Sequence, residues 1–298
     1  MDTLQELRGR LETAEQLRSV VRTMRAMAAV TIRQARQATE ALATYNETVE
    51  LGLQVLLRDA PEGRATPRGE AAGTLGAIVF GSDQGLVGRF NQRIAAHAVG
   101  VMRNMEPVPD ERLVMAVGLR LAARMEDAGE RLERVLSMPR SVAGITHRVR
   151  DILVRIREWQ VGHGVQRVTL FYNVAEGWAA YSPHTQHLLP LSPDWLRRIR
   201  ERPWVSSSRP ITTLPWDVLF ATYVRQYLFA SLHRAVAESL ASENASRLAT
   251  MDAAESNIEE RIGELRARYH YVRQSAITEQ ILDVVTGYEA LREDDDSP

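Results

Sequence analysis

Apolar residues over the first fifty-odd positions advance by threes and fours. The series runs Leu4, Leu7, Leu11, Ala14, then Val21, Met24, Ala28, then Ala35, Ala38, Leu42, Tyr45 and Val49, with Arg18 and Thr31 filling two polar steps. This periodicity predicts one amphipathic helix from Leu4 to about Leu57, a stretch without proline and with glycine only at Gly9 and Gly52. The stripe is long and narrow, as in a coiled-coil seam, and at ~1.5 Å per residue the helix would be on the order of 80 Å long. Between Arg18 and Met24 it advances by three twice in succession, a stammer that overwinds a supercoil locally.

The other end repeats the pattern. After Pro215 no proline occurs before Pro298, and the glycines are Gly263 and Gly287. The seam there runs Ala237, Leu240, Asn244, Leu248, Met251, Ala254, Ile258, Ile262, Leu265, Tyr269, Val272 and Ala276. Its eleven steps cover 39 residues, a mean near 3.5, which is coiled-coil spacing. Many seam positions are alanine, so two helices can approach closely. Helices too long for a middle domain to cover are expected to pair with each other, antiparallel.

In between, the period changes. Gly76-Ala77-Ile78-Val79-Phe80, Leu113-Val114-Met115-Ala116-Val117 and Val168-Thr169-Leu170-Phe171-Tyr172 read as short buried strands. Helical stretches intervene at roughly 89–103, 119–129 and 144–161, an alternation that signals a parallel α/β layer. The expected organisation is an N-terminal helix over 1–58, a central α/β domain over 73–214, a C-terminal helix over 215–292 and an acidic tail over 293–298. The segments 59–73 and 201–215, rich in Gly, Pro and Ser, read as hinges.

Composition narrows the chemistry. The chain has 298 residues, 45% hydrophobic and 25% charged, which excludes a mostly disordered polypeptide. Zero cysteines exclude disulfides, thiolate metal sites and a cysteine nucleophile. Every basic residue is arginine, so a catalytic lysine and the P-loop lysine are excluded too. With 37 basic and 38 acidic residues there is no global electrostatic case for nucleic acid or a membrane surface. No apolar run reaches the roughly 20 residues of a membrane span, and the first residues carry no leader pattern, so the chain is expected to start at Met1 on the cytoplasmic side.

The candidate motifs are few. Gly81-Ser82-Asp83-Gln84-Gly85-Leu86-Val87-Gly88-Arg89-Phe90-Asn91 follows a strand and opens a helix, where backbone amides could cradle a phosphate. Its glycines fit neither the dinucleotide spacing nor a P-loop, so the expectation is a tight structural turn in which Ser82 or Asp83 caps the helix. His184 and His187 read as loop residues and His163 as lying near a helix end, none at metal-ligand spacing. Asp83 has no identifiable acid–base partner. Seven arginines at 8, 10, 18, 22, 25, 33 and 36 outnumber Glu12 and Glu15 in the same stretch. They form a solvated face or a positive sleeve toward an acidic partner. The rival readings are a nucleotide-binding enzyme using the 81–91 loop and a coiled-coil scaffold or nucleic-acid binder.

Two segments resemble the gamma subunit of F-type ATP synthases. The first is Glu238-Ser239-Leu240-Ala241-Ser242-Glu243, continued by Arg247, Met251, Ala253-Ala254, Asn257, Glu264-Leu265, Tyr269, Arg273-Gln274, Ile277-Thr278, Val285 and Gly287. The second is Arg22-Thr23-Met24, Met27-Ala28-Ala29 and Ile32-Arg33. The turn with Ser82, Asp83, Gly85, Leu86, Gly88 and Asn91 resembles the family's S-D-x-G-L-C-G-x-x-N loop, with Val87 in place of the cysteine. His270 and Gln280 depart from the family pattern, as do Arg22, Ser19 and Thr31 at positions of helix lysines.

The resemblance implies an antiparallel two-helix coiled coil from the two termini with a central Rossmann-like α/β domain. It implies a central shaft inside a hexamer of alpha and beta subunits, meeting epsilon and the ring of c subunits, and attached to the membrane only through that complex. No catalytic residue, cofactor or nucleic acid is implied. Met24, Arg33, Arg273, Gln274 and Thr278 are the expected hexamer contacts, and the tip near 283–291 would turn in an apolar bearing.

Overall fold

The computed structural model describes residues 3–61, 73–106, 108, 111–177, 180–204, 208 and 210–295. It divides into two compact units, one of residues 1–26 with 250–298 and one of residues 27–249. Two helices contribute to both units, α1 (Leu4–Arg58) and α6 (Trp216–Asp295). The latter runs into the acidic residues read as a tail. Most of the expected 59–73 hinge lies outside the described residues.

In the larger unit the chain forms β1 (Leu75–Phe80), α2 (Phe90–Met105), β2 (Arg112–Val117), α3 (Leu119–Asp127), β3 (Leu132–Leu136), α4 (Ile145–His163), β4 (Arg167–Glu176), β5 (Ala180–Leu189) and α5 (Pro193–Glu201). The sheet order is β3-β2-β1-β4-β5. Four strands are parallel, but β5 runs antiparallel to β4, so the expected parallel layer is a mixed one. Strands β3 and β5 and helix α5 were not among the expected elements. Both unread strands are sheet edges, where one side meets water and the apolar run breaks up. Leu-Glu-Arg-Val-Leu and a strand carrying Pro183, His184 and His187 show that dilution. His184 and His187 therefore lie on a strand rather than a loop, and His163 ends α4.

Strand alternation sorts the core into two layers. Ile78, Phe80, Met115, Val117, Val168, Leu170 and Tyr172 face α4 and the Leu232–Leu240 part of α6. Leu75, Ala77, Val79, Val114, Ala116 and Phe171 face α2 and α3. A third cluster joins Val49, Leu53 and Leu57 of α1 to Leu196 and Ile199 of α5, with Phe220, Tyr223 and Tyr227 of α6 against it. Tyr45 donates its hydroxyl to Gln226 at 2.6 Å and the Trp216 indole donates to the Leu56 carbonyl at 2.8 Å, so α1 and α6 run antiparallel here. In this unit the buried stripe of α1 is wider than the seam read from sequence. Ile32 is buried, and Arg36, Thr39, Ala43 and Asn46 are half-buried beside it.

At the start of β2 a guanidinium–carboxylate pair is sealed from water. Arg112 binds Glu130 through Nε at 3.1 Å and Nη2 at 2.6 Å, with both side chains at most 2% exposed. The third guanidinium nitrogen of Arg112 donates to the Glu106 carbonyl. Such a pair holds geometry rather than adding much net stability, because desolvation offsets the attraction.

Candidate functional site

The 81–91 turn lies beyond the C-terminal end of β1, beside β4, where the order of the parallel strands reverses. In open α/β sheets that crevice is the usual ligand site. Here the chain's own helix takes part in it. Ser246 of α6 donates its hydroxyl to the Val87 carbonyl at 2.7 Å, and Ser242 donates to the Asn173 carbonyl on β4 at 2.9 Å. Every residue from Ser239 to Arg247 is buried, although the stretch contains three serines, an asparagine and an ion pair. Small side chains explain how a helix can be enclosed on all sides, and the Ser242 and Ser246 hydroxyls satisfy neighbouring carbonyls, whereas the buried Ser239 hydroxyl has no hydrogen-bond partner.

The turn itself is a closed hydrogen-bond unit. Asn91 of α2 accepts from the Ser82 amide at 2.9 Å and donates to the Ser82 hydroxyl at 2.8 Å, while that hydroxyl donates to the Gln84 carbonyl. The expected capping of α2 by Ser82 or Asp83 does not occur. Its cap position is Arg89, without a side-chain bond, and Asp83 turns instead to the connections that follow β2 and β3. One Asp83 oxygen accepts from the Leu119 amide that opens α3, at 2.9 Å, and from the Met138 amide, at 3.0 Å. Asp83 thus ties three crossovers together. Gly118 is obligatory beside it: φ is +130°, and a Cβ would sit 2.8 Å from the Ser82 amide nitrogen. Leu86, in contrast, holds a left-handed conformation (φ +61°) and is more than half exposed.

Glu243 and Arg247 form the ion pair of the buried stretch, at 2.6 Å, and Arg247 also donates to Asn244. Burial pushes the Glu243 carboxyl up to about 7, against the pull of Arg247, and the nearby Asp83 charge pushes the same way as burial.

A second polar feature of this unit is a cavity of about 160 Å³ bordered by Asn46, Glu50, Gln186, Trp195, Tyr227 and Arg234. Several of its polar groups already have partners: Asn46 donates to Glu50 across the lining, Gln186 accepts from Tyr172, and Arg234 lies 3.6 Å from Glu238.

The smaller unit is a helix pair. Leu7 and Val21 of α1 and Met251, Ile262 and Leu265 of α6 are its buried seam, with Leu4, Leu11, Ala14, Ala254, Ile258, Tyr269 and Val272 half-buried. The ion pairs show it to be antiparallel: Glu15 meets Arg266 at 2.7 Å, Arg22 meets Glu255 at 2.5 Å and Glu259 at 2.9 Å, and Arg25 meets Glu255 at 2.6 Å and Asp252 at 3.4 Å. Arg22 and Arg25 hold the Glu255 carboxyl below the usual carboxylate range. From Arg273 to Thr286 every side chain is exposed, including Ile277, Ile281, Leu282, Val284 and Val285.

A family model described as ATP synthase matches residues 3–291. The chain belongs to the ATP synthase gamma family. The ATP synthase gamma chain of Synechococcus sp. (strain PCC 6716) is 28% identical, over 98% of this chain and all of the relative. That of Methylibium petroleiphilum is 26% identical over 96% of this chain and 98% of the relative. A chain in the Euglena gracilis mitochondrial ATP synthase structure comprising OSCP, F1 and c-ring shares the fold, with a TM-score of 0.63 and 17% identity over 99% of this chain and 96% of that one. As a gamma chain the protein is non-catalytic, the central rotor stalk of an F-type ATP synthase. The rival enzyme and nucleic-acid readings find no support.

For a gamma chain the contact residues named from sequence fall in different settings. Arg273, Gln274 and Thr278 stand on the exposed end of α6, where Thr278 donates to the Gln274 carbonyl at 2.9 Å. Met24 is half-buried in the helix pair, and Arg33 is an exposed residue of α1 in the larger unit. The arginine sleeve is largely spent within the chain: Arg8 pairs with Glu12, Arg22 and Arg25 with α6, and Arg36 donates to the Gly177 carbonyl. What sequence reading missed is the complementary acidic column of Asp252, Glu255 and Glu259. Its signal was present, since the three lie at helical spacing next to the seam.

Proposed function

We propose that α1 and α6 wind about one another as a coiled-coil shaft standing within a hexamer of alpha and beta subunits. The α/β layer, Rossmann-like in its β3-β2-β1-β4 portion, meets epsilon and the ring of c subunits at the cytoplasmic face of a bacterial membrane. No helix of the described residues is long and apolar enough to cross a membrane, so attachment runs through the complex. The observation that carries the reading is the end of α6: a paired helix that runs past Val272 with all its described side chains, five large aliphatics among them, in water. A helix of this kind is stable in water only weakly on its own and calls for a surrounding partner.

Torque needs an element that resists twisting. Interdigitated seam side chains supply it, because core packing is as dense as an organic crystal and deforms little. An asymmetric shaft presents different faces to three equivalent beta subunits, so each is biased toward a different conformation, a population shift driven by rotation. Met24, Arg33, Arg273, Gln274 and Thr278 are the residues assigned to hexamer contact, the last three on the exposed end of α6. Arg273 and Gln274 offer donors suited to a carboxylate loop. The Ser82, Asp83, Gly85, Leu86, Gly88 and Asn91 turn is assigned a structural role, anchoring α6 to the sheet.

The test is reconstitution. ATP hydrolysis by purified alpha and beta subunits depends on adding this chain, and equal turnover without it defeats the reading. Truncation after Ser275 leaves the α/β layer folded and weakens coupling; unchanged ATP synthesis would remove the role given to the tip.

A further inference from the structure

The helix pair of the smaller unit is unevenly built. Its large buried knobs are Leu7 on α1 and Met251, Ile262 and Leu265 on α6. Toward Met24 the seam thins. Two successive steps of three bring Arg18, Val21 and Met24 onto it, opposed by an α6 stretch in which Ala254 lies between Met251 and Ile258. Small knobs make shallow interdigitation, and a stammer interrupts the regular knobs-into-holes pattern, so apolar packing specifies register weakly there.

The thin section also holds the densest ionic cluster of this unit. The Glu255 side chain is only 9% exposed; Oε1 accepts a hydrogen bond from Arg22 Nε at 2.5 Å, and Oε2 lies 2.6 Å from Arg25 Nη1 as an ion-pair contact without a hydrogen bond. The same two guanidinium groups reach one turn to either side, Arg22 to Glu259 at 2.9 Å and Arg25 to Asp252 at 3.4 Å. Two cations three residues apart on one helix thus straddle a single carboxylate on the other. Sliding α6 by one turn would carry Asp252 or Glu259 to the place of Glu255, but the column ends there: Leu248 and Ala249 precede it and Ile262 and Gly263 follow it, so one arginine would lose a carboxylate. The lock therefore has a preferred register, the one in which all three carboxylates meet an arginine. Polar groups at a seam are best attested in this role, specifying register rather than adding stability.

We propose that Glu255, gripped by Arg22 and Arg25, is a shear lock that sets the register and torsional stiffness of the shaft where its apolar packing is weakest. Glu255 is on this view a positioning residue for coupling, with no contact to nucleotide. The proposal rests on the shaft reading above.

The experiment uses the assembled complex carrying the full chain, with the hexamer surface-fixed and arrested and a bead on the α/β layer reporting angular fluctuation. Glu255→Gln widens the angular spread on the order of twofold, because an ion pair with two guanidinium groups is replaced by hydrogen bonding to an uncharged amide oxygen. Raising salt from tens to hundreds of millimolar widens the unmodified shaft toward the same value and widens Glu255→Gln less, since only the exposed Arg22–Glu259 and Arg25–Asp252 pairs are left there to be screened. The fully exchanged variant, with Arg22→Glu and Arg25→Glu answered by Asp252→Arg, Glu255→Arg and Glu259→Arg, recovers a narrow spread that a merely space-filling role would not restore. A spread in Glu255→Gln as narrow as in the unmodified shaft, or no salt effect on the unmodified shaft, overturns the lock while rotation itself goes on. Should Glu255→Gln fail to fold, the salt titration of the unmodified chain decides in the same two directions. If alpha and beta subunits turn over ATP without the chain, it is the shaft reading that fails, and the two failures are told apart.

Discussion

Helix α6 passes through two environments, and the contrast between them is instructive. From Ser239 to Arg247 it is enclosed on every side by the larger unit. From Thr250 onward it shows one buried stripe to α1, and beyond Val272 none. Yet the enclosed stretch is the more polar of the two, and the last exposed stretch is rich in aliphatics. Hydrophobicity therefore does not sort this helix into inside and outside. Side-chain size and hydrogen-bond reach do: serine and alanine let the sheet and the 81–91 turn close over the backbone, whereas Ile281 and Val284 stay exposed. The same contrast separates two glutamates. Glu243 is buried and its carboxyl is raised; Glu255 lies between two arginines and is lowered.

The largest expected effect is at the seam. Ile262→Ala removes a buried knob from a two-helix unit that has few of them, costing about 2–4 kcal/mol, and melts that unit before the α/β layer. Two-step loss of helical circular dichroism is the readout; a single transition at the original temperature would count against independent units. Next comes the enclosure. Ala245→Leu inserts a branched side chain where no room exists and costs about 1–3 kcal/mol, while the same change at exposed Ala253 stays within about 0.5 kcal/mol. Equal melting temperatures for the two variants would refute the claimed difference between the stretches.

Smaller, but of opposite sign in the two regions, is the pH dependence. The Glu243 pKa is higher folded than unfolded, so its contribution falls as pH rises from the ordinary carboxylate range to about 7. The Glu255 pKa is depressed, so its contribution is present above the ordinary carboxylate range and is lost as pH falls through its folded value. Glu243→Gln should flatten the decline between about pH 5 and 7 in denaturant titrations, and Glu255→Gln should flatten the acid side; slopes of the same sign in both would contradict the assignment. The smallest effect is at the tip. Ile281→Ser changes the stability of the isolated chain by no more than about 0.5 kcal/mol, yet weakens the coupling of the reconstituted complex. A loss of stability larger than that would mean Ile281 packs within the chain.

Much of the architecture was readable in the residues. The seam positions from Leu4 to Val49 are buried or half-buried apart from Tyr45, whose ring is exposed while its hydroxyl reaches α6. The three central strands were legible because each is a continuous apolar run covered on both faces. Strands β3 and β5 were not, because sheet edges need fewer apolar residues and their alternation is masked by Arg134, His184 and His187. The 81–91 turn was recognised as structural, but its mechanics were not. Which amides Asp83 receives depends on Leu119 and Met138, brought to it by two crossovers.

By itself the order of residues determined the two long helices, their antiparallel partnership, the alternating middle and the absence of thiol and lysine chemistry. These follow from period, punctuation and composition, which act over a few neighbouring positions. Only the tertiary structure decided that α6 fills the crevice at the end of β1, that the arginines of α1 are answered by an acidic column on α6, and that Glu243 and Glu255 titrate in opposite directions. Those outcomes turn on which distant groups share a small volume and on how much water is left there, quantities that no local pattern encodes.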